Sequence, residues 1–275
     1  MFFSFFVFYL ISILGCDHSS LAKQEAQGPK DTSGITEVPI DTMPVDPIRE
    51  EEFTVDYIMG HFNPATHQDF EIVDIKYADR EGLYLRKDTY AAFKEMYNHA
   101  LSDSIRLQIR SATRNFNYQK GIWEAKWTGE RLLEGGENLA ETTPDPKERA
   151  LKILRYSSMP GTSRHHWGTD MDFNSFENSW FEKGEGLDIY NWLKKHGPEH
   201  GFCQPYSAER PYGYWEERWH WSYIPVSLPL TALAENELKN EMITGFMGSE
   251  SAVLIDVVKH YVLGINQECK PNTND

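Results

Sequence analysis

The sequence predicts an α+β fold: a small antiparallel β-sheet with flanking helices, followed by a helical C-terminal extension. Three observations carry this. Ile105-Arg106-Leu107-Gln108-Ile109-Arg110-Ser111 alternates between apolar and polar residues, as a half-buried strand does. Trp219, Trp221 and Tyr223 repeat the alternation over Arg218 to Ile224. Elsewhere apolar residues recur at helical spacing, most clearly at Phe93, Met96, Tyr97, Ala100 and Leu101.

The chain has 275 residues and a formal net charge of -15. That length buries a core of its own, as one domain with extensions or as two small ones. The acidic balance argues against a nucleic-acid partner, which needs Lys and Arg to neutralise phosphates.

In order along the chain, residues 1–16 come first. Phe2 to Leu14 is nearly all apolar, too short for a bilayer span of roughly 20 residues. It fits the apolar region of an export signal. Ile13-Leu14-Gly15-Cys16 resembles a bacterial lipobox. That resemblance implies a lipoprotein anchored to the membrane through a lipidated Cys16, in the cell envelope and facing the periplasm or cell surface. A short uncleaved anchor is the alternative. Residues 17–50 are polar, with Pro39, Pro44 and Pro47 breaking any regular element. Such a stretch buries too little to offset its ordering entropy and reads as a flexible tether.

The folded domain is expected over 51–226. Phe70 to Ile75 is a weak strand candidate, and Asp88 to Leu101 an amphipathic helix. Asn115 to Leu133 reads as helix, ended by the loop at Gly135-Gly136. Asp145-Pro146-Lys147-Glu148 is a helix start, with Asp as N-cap and Pro in the first turn, predicting a helix to about Tyr156. Gly168 to Phe173 suits a strand. Gly186 to His196 is helical, with Gly197 as its stop. Residues 227–275 form the extension, helical beyond Pro229. Its stripe of Val253, Leu254, Val257, Val258, Tyr261, Val262 and Ile265 either packs on its own domain or binds a partner. Export implies an oxidising compartment, where Cys203 and Cys269 either pair or stay as buried thiols.

The chemistry gathers in two stretches. Ser163-Arg164-His165-His166-Trp167-Gly168-Thr169-Asp170-Met171-Asp172 sets histidine and carboxylate seven residues apart. Glu217-Arg218-Trp219-His220 follows about fifty residues later. Together they offer His, Asp and His as metal ligands with a spare Glu as base, an inventory that zinc hydrolases use. Asp170 and Asp172 share one face of the predicted strand, so either can reach a metal. Glu217 and His220, three apart, would point to opposite faces of an ideal strand. Glu217 must therefore project from the turn entering it, or the segment must be helical; the aromatic alternation favours the strand. Arg114 by itself reads equally as an ordinary ion-pair residue, and Ser163 as a loop cap. A serine or cysteine nucleophile has little support, since there is no Gly-x-Ser-x-Gly elbow and no Cys beside a His.

Ser163-x-His165-x-x-Gly168-x-Asp170-x-Asp172 followed by Glu217-x-Trp219-His220 resembles the zinc signature of the VanY-type D-alanyl-D-alanine carboxypeptidases, within the lysostaphin and sonic hedgehog metallopeptidase group. Ser111 to Gln119 resembles that family's strand-to-helix segment, which carries a substrate-binding arginine and a glutamine. The blocks stand in the family's order over roughly Ile105 to Ile224. The resemblance implies a hedgehog/DD-peptidase-like fold with Zn2+ held by His165, Asp172 and His220. It implies Glu217 as general base, Arg114 holding the carbonyl oxygen as it gains charge, and Ser163 helping to bind substrate. Motif spacing favours His165 over His166. The family often has Ala where this chain has Asp170; the extra carboxylate either orients a histidine or competes as a ligand.

The expected function is a zinc D,D-carboxypeptidase that removes the terminal D-Ala from peptidoglycan stem peptides. The same centre would serve an endopeptidase cutting an L-alanyl-D-glutamate or cross-bridge bond. A lipoprotein that binds cell-wall peptide without cleaving it is the reading from another class.

Overall fold

Two antiparallel sheets and a set of mostly short helices make up the computed structural model, which describes residues 53–270. The apolar N-terminal run, Cys16 and the tether over 17–50 lie outside the described residues. The elements are α1 (Val55–Ile58), β1 (Phe70–Ile72), β2 (Tyr84–Arg86), α2 (Lys87–Ser102), β3 (Ile109–Ser111), α3 (Phe116–Trp127), α4 (Leu139–Thr142), α5 (Pro146–Ile153), β4 (Asp170–Phe173), α6 (Gly184–His196), β5 (Phe202–Cys203), β6 (His220–Tyr223), α7 (Ile224–Glu237) and α8 (Ser251–Ile255). β1 and β2 form a hairpin-like pair, and the main sheet runs β3-β4-β6-β5, every pairing antiparallel. Among the described residues no helix is long and apolar enough to cross a membrane.

The main sheet has one apolar and one polar face because its strands alternate. Met171, Phe173 and Trp221 turn to one side and pack with Phe93 and Met96 of α2, Ile189 and Leu193 of α6, and Phe202. Asp170, Asp172, His220 and Ser222 take the other side and are also buried. A second apolar cluster joins Ile58, Trp123, Ala150, Ile153, Leu230, Ala234 and Val258, so the helices after residue 226 share a core with α1, α3 and α5. Cys203 and Cys269 form a disulfide, tying β5 to the C-terminal segment.

Local chemistry sets the boundaries. Asn115 caps α3 by accepting from the Tyr118 N–H at 2.9 Å, and Asp145 caps α5 by accepting from Glu148 at 2.8 Å. The helix expected to reach Leu133 ends at Trp127. Gly129 turns left-handed there (φ 78°), with the Asn138 amide where a Cβ would sit. The strand expected from Ile105 pairs only from Ile109. Opposite it, Asn174 adopts φ 57° and its backbone and side chain take up the Gln108 peptide instead. The helix after β6 begins at Ile224, earlier than Pro229, with Pro225 tolerated in its first turn and Pro229 inside it. Gly197 follows α6 as expected but stays right-handed; the left-handed turn falls at Gly201 (φ 79°). The expected long C-terminal helix is broken at Asp256 (φ 55°), where Asn240 bonds both the Asp256 carboxylate and the Val258 N–H. The break divides the stripe: Val257, Val258, Val262 and Ile265 are buried, while Val253 and Leu254 are exposed.

Candidate metal centre and its cleft

Register places the centre. Asp172 of β4 stands directly opposite His220 of β6, and Asp170 opposite Ser222. Opposed residues share a face, so the Asp172 carboxylate and the His220 ring lie side by side, with Oδ1 at 3.2 Å from Nδ1. His165 arrives from the short 3-10 turn Arg164–Trp167. Gly168 then reverses the chain into β4 with φ 77°; a Cβ there would lie 2.4 Å from the Phe70 ring, so only glycine fits. His165 Nδ1 donates to the Ala112 carbonyl at 2.9 Å, which fixes the tautomer and turns the Nε2 lone pair toward Asp172 at 3.3 Å.

One ligand atom each from His165, Asp172 and His220 lies within 4.8 Å of the others, and all three residues are buried. His165 Nε2 and Asp172 Oδ1 have no hydrogen-bond partner. Buried polar atoms left unpaired cost free energy, and a cation shared among them removes that cost. Two imidazole nitrogens and a carboxylate oxygen suit Zn2+, so the residues present fit the metal.

Around them sits a second layer. Asp170 is fully buried and accepts from His220 Nε2 at 2.9 Å, Arg164 Nε at 3.0 Å, Ser222 Oγ at 2.7 Å and Thr169 Oγ1 at 2.6 Å. It thus faces the far nitrogen of His220 and orients that ring instead of competing with Asp172 for a cation. Arg164, equally buried, also donates to Thr231 of α7 and Ser222 and lies 4.4 Å from the Trp167 ring centre. His166 points away from the centre. Its Nδ1 donates to the Arg114 carbonyl, and its Nε2 accepts from the Gly161 N–H at 3.0 Å.

The electrostatics follow from burial and the local charges. Burial acts to raise the Asp170 carboxyl, but Arg164 and His220 outweigh it and hold the group well below the carboxylate range. Asp172 is likewise lowered by the imidazoles beside it, against the cost of burial. Burial acts to lower His220, yet the Asp170, Asp172 and Glu217 carboxylates around it carry it well above its ordinary value. Burial, with the charge of Arg114, lowers His165.

Glu217 resolves the geometric question in favour of a turn. The His220 N–H reaches the Glu217 carbonyl at 3.3 Å, so the two side chains leave the same turn just ahead of β6. Glu217 Oε2 lies 3.2 Å from His220 Nδ1. Burial pushes its carboxyl above the ordinary value despite the pull of His220. Both residues line a cleft of about 490 Å³ together with His165, Asp172, Arg114 and Trp219. Arg114 follows β3, with its N–H on the His165 carbonyl at 3.1 Å and its Nε without a partner. Gln119 is buried below and donates to the Ser158 carbonyl at 2.8 Å. Ser163 is buried, its hydroxyl has no hydrogen-bond partner, and the cleft wall presents Ser111, Ser157 and Ser158 instead.

Three cleft or centre residues escaped the sequence. Tyr206 sits against His220, ring centres 4.5 Å apart. Lys126, almost wholly buried, reaches the cleft and donates to Ser157 Oγ at 2.9 Å. Arg164 underpins Asp170. Only Arg164 had a signal: a charged residue six before Asp170, in a segment that is otherwise apolar and histidine-rich.

The VanY D-alanyl-D-alanine carboxypeptidase family matches residues 82–226, just over half of the chain. A Bacillus subtilis (strain 168) protein named as a candidate carboxypeptidase, YodJ, is 27% identical over 173 residues, 60% of this chain. The match spans 55% of that relative's length. Similar solved structures include VanYB in complex with D-alanine-D-alanine, 20% identical over 59% of this chain and 81% of that one, TM-score 0.45. The VanY D,D-pentapeptidase of a VanB-type resistance cassette, in complex with Zn(II), is 18% identical over 66% of this chain and 88% of that one, TM-score 0.43.

Proposed function

The chain belongs to the VanY D-alanyl-D-alanine carboxypeptidase family, and from that premise we propose that it is a zinc-dependent D,D-carboxypeptidase hydrolysing the terminal D-Ala-D-Ala amide of peptidoglycan stem peptides. The observation that carries the reading is one cluster at the cleft: His165, Asp172 and His220 around a common point, with Glu217 3.2 Å from His220. These three residues would hold the metal, which when bound supplies Lewis acidity and brings the pKa of water to about 7.

The chain's own groups do the rest. Glu217 takes a proton from the attacking water as its oxygen bonds to the amide carbon. It then passes the proton to the departing amine as the C–N bond breaks, releasing D-alanine. Its raised pKa suits a group that must accept and return a proton. Arg114, on the cleft wall with a free Nε, faces the carbonyl oxygen as it gains charge, a contribution of about 3 kcal/mol per donor. Ser163 lies behind the cleft wall and is given no contact with the substrate; it opens the turn that carries His165. Export and a lipid anchor at Cys16 would put this chemistry in the cell envelope, within reach of its polymer.

The test is Glu217→Ala. Metal content should stay at the wild-type level while hydrolysis of a D-Ala-D-Ala peptide falls roughly a hundred- to ten-thousand-fold. Wild-type turnover by that variant overturns the mechanism. Digestion of purified muropeptides, with products read by mass spectrometry, separates terminal trimming from an internal cut and from binding without cleavage.

A further inference from the structure

The chain has ten histidines. Three of them, His99, His196 and His200, meet on the surface, and none lines the cleft. They come from different elements: the last turn of α2, the last turn of α6, and the 3-10 turn Pro198–His200. One ring nitrogen of His99, one of His196 and a carboxylate oxygen of Glu199 lie within 4.8 Å of one another. His196 Nδ1 is 2.8 Å from Glu199 Oε2, and His99 Nδ1 is 2.9 Å from His200 Nε2. Tetrahedral zinc with bonds of about 2.0–2.1 Å sets its donor atoms roughly 3.3 Å apart. The His196–Glu199 pair therefore needs to open by only about half an ångström.

The surroundings hold the rings in place. The Trp192 indole packs against all three imidazoles, with centroids 5.2, 5.0 and 6.5 Å away. Its N–H is held by Asp103 at 2.8 Å, and the same Asp103 oxygen lies 3.7 Å from His99 Nε2, the nitrogen turned away from His200. Helix C-termini do favour positive charge, so each histidine alone has an ordinary reason to be there. Imidazolium rings in contact would repel one another, whereas one divalent cation takes the lone pairs of the neutral His99 and His196 rings together with the Glu199 carboxylate.

We propose that His99, His196 and Glu199 form a second transition-metal site, for Zn2+ or a cation of the same preferences. The site clamps the C-terminal ends of α2 and α6 and stands apart from the reaction in the cleft. Metal-free protein loaded with Zn2+ alone and then dialysed should retain about two equivalents. His196→Ala and Glu199→Gln should each retain about one and hydrolyse substrate as the wild type does. Equal metal content in the wild type and both variants overturns the site. Should His196→Ala fail to fold, Glu199→Gln carries the same comparison, because that side chain is 56% exposed. His165→Ala in parallel separates the two centres. Metal lost there but not in the surface variants leaves the cleft reading standing and removes this one.

Discussion

Removing Asp170 should split stability from metal affinity. The Asp170 and Arg164 side chains are both 0% exposed, and their ion pair closes at 3.0 Å. In Asp170→Ala the guanidinium keeps Thr231 and Ser222 as acceptors but loses its carboxylate. Stranding a buried charge in this way costs about 3–5 kcal/mol. His220 loses the acceptor of its Nε2 proton in the same variant, and loss of such an outer partner weakens metal binding about 10–100-fold. The double variant Arg164→Met/Asp170→Ala separates the effects. It removes both charges and should recover most of the lost stability, but not the affinity, because the far side of His220 stays unsupported. Urea unfolding of the metal-free proteins measures the first quantity, and Zn2+ competition against a chromophoric chelator the second. If the double variant holds Zn2+ as tightly as the wild type, Asp170 does not orient His220. If Asp170→Ala unfolds at the wild-type urea concentration, the buried pair carries no stability.

Two further outcomes follow from the same geometry. Burial holds His166 at about 3, below its ordinary value of 6.5. The unfolded chain therefore takes up a proton that the folded one refuses. This group's contribution is whole well above pH 6.5 and is lost as pH falls toward 3, by roughly 2 kcal/mol between pH 6.5 and 4.5. Unfolding free energies of His166→Gln should lack that slope while its metal content is unchanged; an identical acid profile removes the assignment. The Cys203–Cys269 disulfide closes a loop with a sequence separation of 66 residues, for which chain entropy gives about 4 kcal/mol. Cys269→Ser should lower the melting temperature, and reductant should lower that of the wild type but leave the variant unmoved.

What could be read from the sequence was whatever local periodicity and spacing encode. Alternation located β6 and the end of β3, and the resemblance to the zinc signature singled out His165, Asp172 and His220, while strand geometry alone left Asp170 and Asp172 on one face. Asp145-Pro146 located α5 through capping chemistry alone. The role of Asp170 stayed open because both of its options lay on one face; only the direction of the His220 Nε2 atom decides between them. Arg164 depends on Thr231, 67 residues later on α7, and no local pattern reports a partner at that distance. The surface histidines were invisible for the same reason, since His99 and His196 become neighbours only when α2 and α6 end together. The break at Asp256 carries no Gly or Pro, so the apolar stripe read as continuous.

The pairing of Asp172 with His220 also bears on how this centre tolerates error. The two residues stand in exact opposition on antiparallel strands, and a slip of one position would send one of them to the apolar face. A cation needing both would be held only by correctly aligned chains, so its uptake would double as a proofreading step on strand alignment. Misaligned molecules would stay metal-free and inert, however native their helices looked.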